Sequence, residues 1–180
     1  RKESSAASDV YKRQLYNRLG FPANVIRPCN CYGSGQLLYR LVPKALLYGI
    51  ANQKFPLEGG GQAKKSYMHA KDLAKAIYMI LNSNKLGKIY NAGVEKPNTI
   101  REITETIASH LKIKFDDFII DAKAREAEDS QYWIDSSLIK KDIGWEPKIS
   151  LEEGVEETAN WVIKNKEELL KEPFTFTLRA

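Results

Sequence analysis

This sequence has little of what usually announces a function. It carries only two cysteines, two histidines and two methionines in 180 residues. Two cysteines cannot build a disulfide framework, so a reducing compartment is expected, and the cytoplasm is the default. Zinc sites take about four ligands, and Cys29-x-Cys31 has neither a second cysteine pair nor a histidine pair to complete one, so no metal is expected. No apolar run approaches the roughly 20 residues of a membrane-spanning helix, and no membrane partner is expected. The opening stretch RKESSAASDVYKRQ is polar almost throughout and does not read as a signal peptide. No GxSxG, P-loop or HExxH pattern occurs, and Gly59-Gly60-Gly61 lacks the strand–loop–helix setting of a dinucleotide loop. That glycine run reads as a turn.

What is present is ordinary for a globular chain: 43% hydrophobic and 28% charged residues. The length suits one domain or a large piece of a bigger protein. The formal charge of +5 comes from 28 basic and 23 acidic residues mixed along the chain. Nucleic-acid binders cluster their basic residues on one element, so no nucleic-acid partner is expected. A slightly basic protein suits a small anionic ligand.

Residues 1–14 stand apart. Asp9 to Gln14 back-translates to GATGTGTATAAGAGACAG, which resembles a transposon-type sequencing-library adaptor, and the lead-in shows no apolar periodicity. The expectation is a non-native segment over 1–14 and natural sequence over 15–180. The same codons in intact genomic DNA would refute it.

From Leu15 the pattern alternates between strands and helices. Leu15 to Leu19, closed by Gly20, reads as a helix end. Asn24 to Arg27 is a short β-rich run stopped by Pro28. Apolar spacing predicts a helix over Leu37–Ile50, with Pro43 marking its true first turn. Lys65–His69 and Lys88–Asn91 read as strands, as does Phe118–Ile120. A helix over Lys71–Leu81 should turn Leu73, Ile77, Ile80 and Leu81 inward. Thr99-x-x-Glu102 and Ser150-x-x-Glu153 are capping boxes, and the second helix should bury Leu151, Val155, Val162 and Ile163. Asp135 can cap a helix that stops at Gly144. The alternation defines an α/β protein.

Arg27-Pro28-Cys29-Asn30-Cys31-Tyr32-Gly33-Ser34-Gly35-Gln36 places an amide, a phenol and two glycines just beyond a strand's carboxyl end. Open α/β sheets bind ligands at that edge. A plain strand-to-helix connection is the alternative if this segment is read alone.

The segment resembles the R-x-x-N-x-Y-G loop of the extended short-chain dehydrogenase/reductases, the NAD-dependent nucleotide-sugar epimerases and dehydratases. Further similarities follow in order: Leu41-Val42-Pro43, the stretch Phe55–Gln62, Lys65-Ser66-Tyr67-Met68-His69-Ala70-Lys71-Asp72, Tyr90-Asn91-Ala92-Gly93, Arg125-Glu126-Ala127-Glu128, Tyr132–Asp135 and Ile143-Gly144-Trp145. The resemblance implies late Rossmann strands woven with a smaller α/β substrate lobe. It implies a 4,6-dehydratase or 4-epimerase acting on a nucleotide-diphosphate sugar with NAD, homodimeric when complete. It gives Asn30, Arg40, Leu41, Pro56, Lys65, Arg125 and Glu128 as substrate-binding residues. Pro28, Cys29 and Asn30 would lie near the nicotinamide end of NAD. Glu58 stands where dTDP-sugar dehydratases often have an aromatic residue, and Lys65 where the family more often has arginine.

The family's glycine-rich NAD loop, its catalytic Ser/Thr and its helical Tyr-x-x-x-Lys pair are not expected in this chain. Tyr11 and Tyr16, ahead of the loop, are followed four positions on by Leu15 and Gly20. No catalytic residue is therefore assigned. The chain is expected to be a C-terminal part that alone is inactive and binds NAD poorly. A non-catalytic nucleotide-sugar-binding or regulatory module is the alternative.

Overall fold

The computed structural model describes residues 10–12, 14, 16–124 and 129–173. The strands are β1 (Val25–Pro28), β2 (Asn30–Tyr32), β3 (Phe55–Glu58), β4 (Lys64–Lys65), β5 (Tyr67–His69), β6 (Ile89–Ala92), β7 (Asn98–Thr99), β8 (Ile119–Ala122) and β9 (Gln131–Tyr132). The helices are α1 (Leu41–Ile50), α2 (Ala70–Leu81), α3 (Ile100–His110), α4 (Phe115–Phe118), α5 (Ser137–Ile143), α6 (Leu151–Lys164) and α7 (Lys166–Leu169). Residues 16–19 are helical, and Gly20 closes the turn at φ 64° by donating to the Tyr16 carbonyl.

Pairing is almost wholly parallel, as the α/β alternation requires. The pairs β1–β6, β2–β5 and β3–β8 are parallel, and a three-stranded sheet has the order β7-β4-β9 with β4–β7 antiparallel. Among the described residues, β1 is paired on one side only.

Two apolar cores hold these pairs. The larger joins α1, α3 and α6 to β3 through Val42, Leu46, Leu47, Phe55, Ile103, Ile107, Val155 and Val162. The smaller gathers Cys29, Met68, Ala76, Ile80, Tyr90, Ile139 and Trp145 around β6, α2 and α5. Each fully buried Leu, Ile or Val of this kind contributes about 1.5–3 kcal/mol through removal from water.

Local rules set the element ends. Helix α1 starts at Leu41 rather than Leu37, with Pro43 in its first turn, where an N–H would have no helical partner. Both capping boxes form: Thr99 Oγ1 accepts from Glu102 N–H at 3.0 Å, and Ser150 Oγ from Glu153 N–H at 3.2 Å. Helix α5 ends on Gly144 at φ 70°, whose N–H reaches the Lys140 carbonyl at 2.9 Å. Asp135 Oδ1 accepts from Ser137 N–H at 2.8 Å and so opens that helix.

Three expectations are corrected. Phe118 ends a helical turn, because its N–H and that of Asp117 both reach the Lys114 carbonyl, and the strand begins at Ile119. Helix α2 buries Asp72, Ala76 and Ile80, leaving Ile77 and Leu81 exposed. Helix α6 buries Gly154, Val155, Thr158, Ala159 and Val162, and Ile163 is exposed. In both helices the close contact is made through small residues, which an apolar count does not weigh.

Candidate functional site

The Asn30 loop is fixed from both sides. Cys29 N–H donates to the Ala92 carbonyl at 2.9 Å, tying the end of β1 to β6. One residue later Asn30 enters β2 and lies in register with Tyr67 of β5. Beyond Tyr32 the loop is braced by Gln36, whose amide Nε2 donates to the Cys31 carbonyl at 2.6 Å.

Lys65 stands two positions before Tyr67, so β4 and β5 bring it beside the strand that faces Asn30. Across the three-stranded sheet Lys65 is in register with Asn98 on one side and Tyr132 on the other. An amide, an ammonium and a phenol thus share one row. Sequence reading did not single out Asn98; a lone Asn before a capping threonine carries no signal until the register is known.

Pro56 lies on β3, and the Gly59–Gly61 turn leads from there to β4. All three glycines have positive φ, and Gly61 is packed so closely on Leu57 and the Arg101 backbone that a Cβ would clash. The turn is held by Arg101 Nε, which donates to the Gly60 carbonyl at 3.2 Å. Asn30, Lys65 and Pro56 thus lie on β2, β4 and β3, which pair with β5, with β7 and β9, and with β8 respectively. Arg40 is exposed at the entry to α1, its guanidinium 5.5 Å from the Tyr39 ring centroid. Leu41 packs against the larger core, which accounts for it without a ligand. Arg125 and Glu128 lie outside the described residues.

At the nicotinamide-end segment, Pro28 has no N–H and that of Cys29 is already engaged with Ala92. Only carbonyls and the half-buried Asn30 remain to meet a cofactor there. Burial pushes the Cys29 thiol up, and burial with the neighbouring Cys29 pushes Cys31 up to about 11. Both are poor nucleophiles.

Several residues of the ordered pattern turn out to be braces. Tyr32 is buried, and its hydroxyl donates to the Leu151 carbonyl at 3.4 Å. Burial raises its pKa, so the phenol is not a base. Asp72 Oδ2 accepts from Lys148 N–H at 3.1 Å and Ile149 N–H at 3.0 Å, while the Asp72 carbonyl accepts from Trp145 Nε1. Tyr90 donates to Asp142 Oδ2, Asn91 to the Asp135 carbonyl, and Gly93 N–H to Ser136 Oγ. These bonds fasten the 134–149 segment to the smaller core.

One spacing in the sequence imitates a catalytic pair. Tyr67 and Lys71 are four apart, but Tyr67 lies on β5 and Lys71 in the first turn of α2. A helix would stack such a pair on one face; here the strand–helix junction separates them. Lys71 Nζ instead donates to Glu157 Oε2, and His69 caps α2 by accepting from Lys71 N–H.

The fold is that of an extended short-chain dehydrogenase/reductase. A model of the GDP-mannose 4,6 dehydratase family matches residues 3–158, and the chain belongs to that family. The dTDP-glucose 4,6-dehydratase of Escherichia coli is 29% identical over 174 residues, covering 91% of this chain and 48% of that protein. The same enzyme from Neisseria gonorrhoeae is 27% identical over 173 residues, covering 91% and 50%. Among solved structures, the dTDP-glucose 4,6-dehydratase of Bacillus anthracis, in complex with NAD, matches with a TM-score of 0.84 at 30% identity. It covers 92% of this chain and 52% of that one. The chain spans about half the length of these two curated relatives.

Proposed function

We propose that this chain forms the C-terminal, sugar-nucleotide-holding part of an NAD-dependent nucleotide-sugar 4,6-dehydratase or 4-epimerase. The observation that carries the reading is the row Asn98–Lys65–Tyr132, with Lys65 two residues along the chain from Tyr67, the register partner of Asn30. A nucleoside diphosphate needs fixed cations and hydrogen-bond donors, and this row supplies both on backbone that its neighbours hold rigid. Arg125 adds a second cation in the proposal, and Glu128 an acceptor for a ribose hydroxyl. Pro56 borders the nucleoside end. Arg40 enters through the start of α1.

NAD, when bound, supplies the hydride acceptor for oxidation at sugar C4. The residues present fit only its nicotinamide end, through carbonyls at Pro28 and Cys29 and the Asn30 amide. Tyr67 and Lys71 do not furnish the base, for the geometric reason given above. Proton abstraction is therefore assigned to a part of the enzyme that this chain does not supply.

The test is to express the complete coding sequence that contains this chain and incubate it with NAD and GDP-, UDP- and dTDP-hexoses. A dehydratase gives a product lighter by one water, and an epimerase one of unchanged mass inverted at C4. Absence of both products with every donor would sink the proposal.

A further inference from the structure

The glycine turn and the start of helix α3 are joined by one antiparallel series of contacts. Lys65 faces Asn98, Lys64 faces Thr99, and the Ile100 N–H donates to the Ala63 carbonyl at 3.0 Å. There the backbone series stops, because from Ile100 onward the chain is helical. The next rung is made by a side chain: Arg101 Nε donates to the Gly60 carbonyl at 3.2 Å. Between these rungs Gly61 comes so close that a Cβ would stand 2.8 Å from the Arg101 backbone N. The Gly60 carbonyl also accepts from Gln62 Nε2 at 3.4 Å, but that donor follows the turn directly and moves with it. Arg101 is itself held. Its guanidinium lies 5.0 Å from the Phe115 ring centroid, and Nη1 is 3.6 Å from Glu105 Oε1.

A guanidinium seated in this way on α3 and α4 is a fixed post for a turn of three glycines. Such a turn has little stiffness of its own, since glycine has the widest backbone freedom. The strand that it feeds, β4, is only two residues long. Register is weakly specified where strands are rich in glycine, and a slip of one residue turns every side chain to the other face. Here a slip would carry Lys65 out of the row with Asn98 and Tyr132 and bring in Lys64 or Ser66. Within the nucleotide-sugar reading, on which this step rests, we infer that Arg101 is a positioning residue. Its Nε–H bond to Gly60 locks β4 against β7, and so sets the row at which the nucleotide sugar is held. It acts through the backbone rather than by touching the ligand.

Two variants of the complete enzyme, assayed with NAD and a nucleotide sugar, test this. Arg101→Met keeps the apolar stem and removes the donor. Arg101→Gln sets an amide N–H the same number of bonds from the backbone as Nε, and removes the charge. Arg101→Met should raise KM for the nucleotide sugar about 3- to 10-fold, the size of one net hydrogen bond. Its kcat and NAD affinity should stay within about twofold of wild type. Arg101→Gln should bring KM back to within about twofold of wild type. An unchanged KM in Arg101→Met overturns the assignment. So does an Arg101→Gln variant as impaired as Arg101→Met, which would make the guanidinium charge the acting group. A joint fall in kcat, NAD affinity and Tm in Arg101→Met makes Arg101 a structural residue only, and overturns it too. A wild-type enzyme that turns over no nucleotide sugar would instead bring down the nucleotide-sugar reading itself, and this step with it.

Discussion

Gly154 of helix α6 lies directly against the ring and hydroxyl of Tyr32, with no room for a Cβ between them. A glycine inside a helix costs about 1 kcal/mol relative to alanine, so its place here is set by packing. Gly154→Ala must displace a buried tyrosine, an overpacking of about 1–3 kcal/mol, against which the helix regains about 1. A net loss of up to about 2 kcal/mol is expected, lowering Tm by roughly 2–8 °C. A melting curve unchanged or raised would show that Tyr32 gives way freely.

Asp72 is the second packing prediction. Its carboxylate serves the Lys148 and Ile149 N–H groups together. Asp72→Ala leaves both without an acceptor and should cost about 2–4 kcal/mol. Asp72→Asn keeps one oxygen and should cost about half of that. Urea unfolding of the two variants checks the order; equal losses would mean that charge, not acceptor geometry, carries the effect.

Acid should loosen the helix starts. Accepting from the Thr99 backbone N–H holds the Glu102 carboxyl below its ordinary range, and the Ser150 N–H does the same for Glu153. A carboxylate whose folded pKa is lowered stabilises the protein above its unfolded pKa, about 4.3. That contribution is lost as pH falls through the lower folded value. Tm should be level from neutral pH to about 5.5 and fall below about 4.3. The double variant Glu102→Gln, Glu153→Gln should show a shallower fall; an identical profile would place the acid sensitivity elsewhere.

The proposed diphosphate contacts of Lys65 and Arg125 make a graded prediction for the complete enzyme. Arg125→Ala should lose about 1.5–3 kcal/mol of substrate binding, roughly 10- to 150-fold, because arginine can hold two phosphate oxygens at once. Lys65→Ala should lose less, and Lys65→Arg is expected to retain binding or tighten it. NAD affinity should stay level in all three. Wild-type KM and kcat/KM in Arg125→Ala would make Arg125 a surface charge.

The sequence disclosed element types more readily than faces. Capping boxes at Thr99 and Ser150, the stop at Gly144 and the first turn at Pro43 are local chemistry, and each stands where its residues place it. The buried faces of α2 and α6 run through Ala76 and Gly154, small residues that hydrophobic spacing does not count. The site was legible only as an ordered set of weak motifs. Its row of Asn98, Lys65 and Tyr132 comes from residues far apart in the chain, joined by a register no local pattern encodes. The Tyr67–Lys71 spacing shows the converse, since a matching interval across a strand–helix junction has none of the geometry that the interval stands for.

The parallel pairing also governs the order of assembly. Val25 finds Ile89, Phe55 finds Ile119 and Lys64 finds Gln131, each across a long intervening chain. Closing such loops costs entropy before any contact rewards it. Helices α3 and α6, with their own caps, can form early, while the candidate diphosphate row exists only once the most distant strands have met. Nascent chains would therefore acquire helical content well before any affinity for a nucleotide, and stopped-flow circular dichroism alongside ligand-binding fluorescence should resolve the two as separate phases.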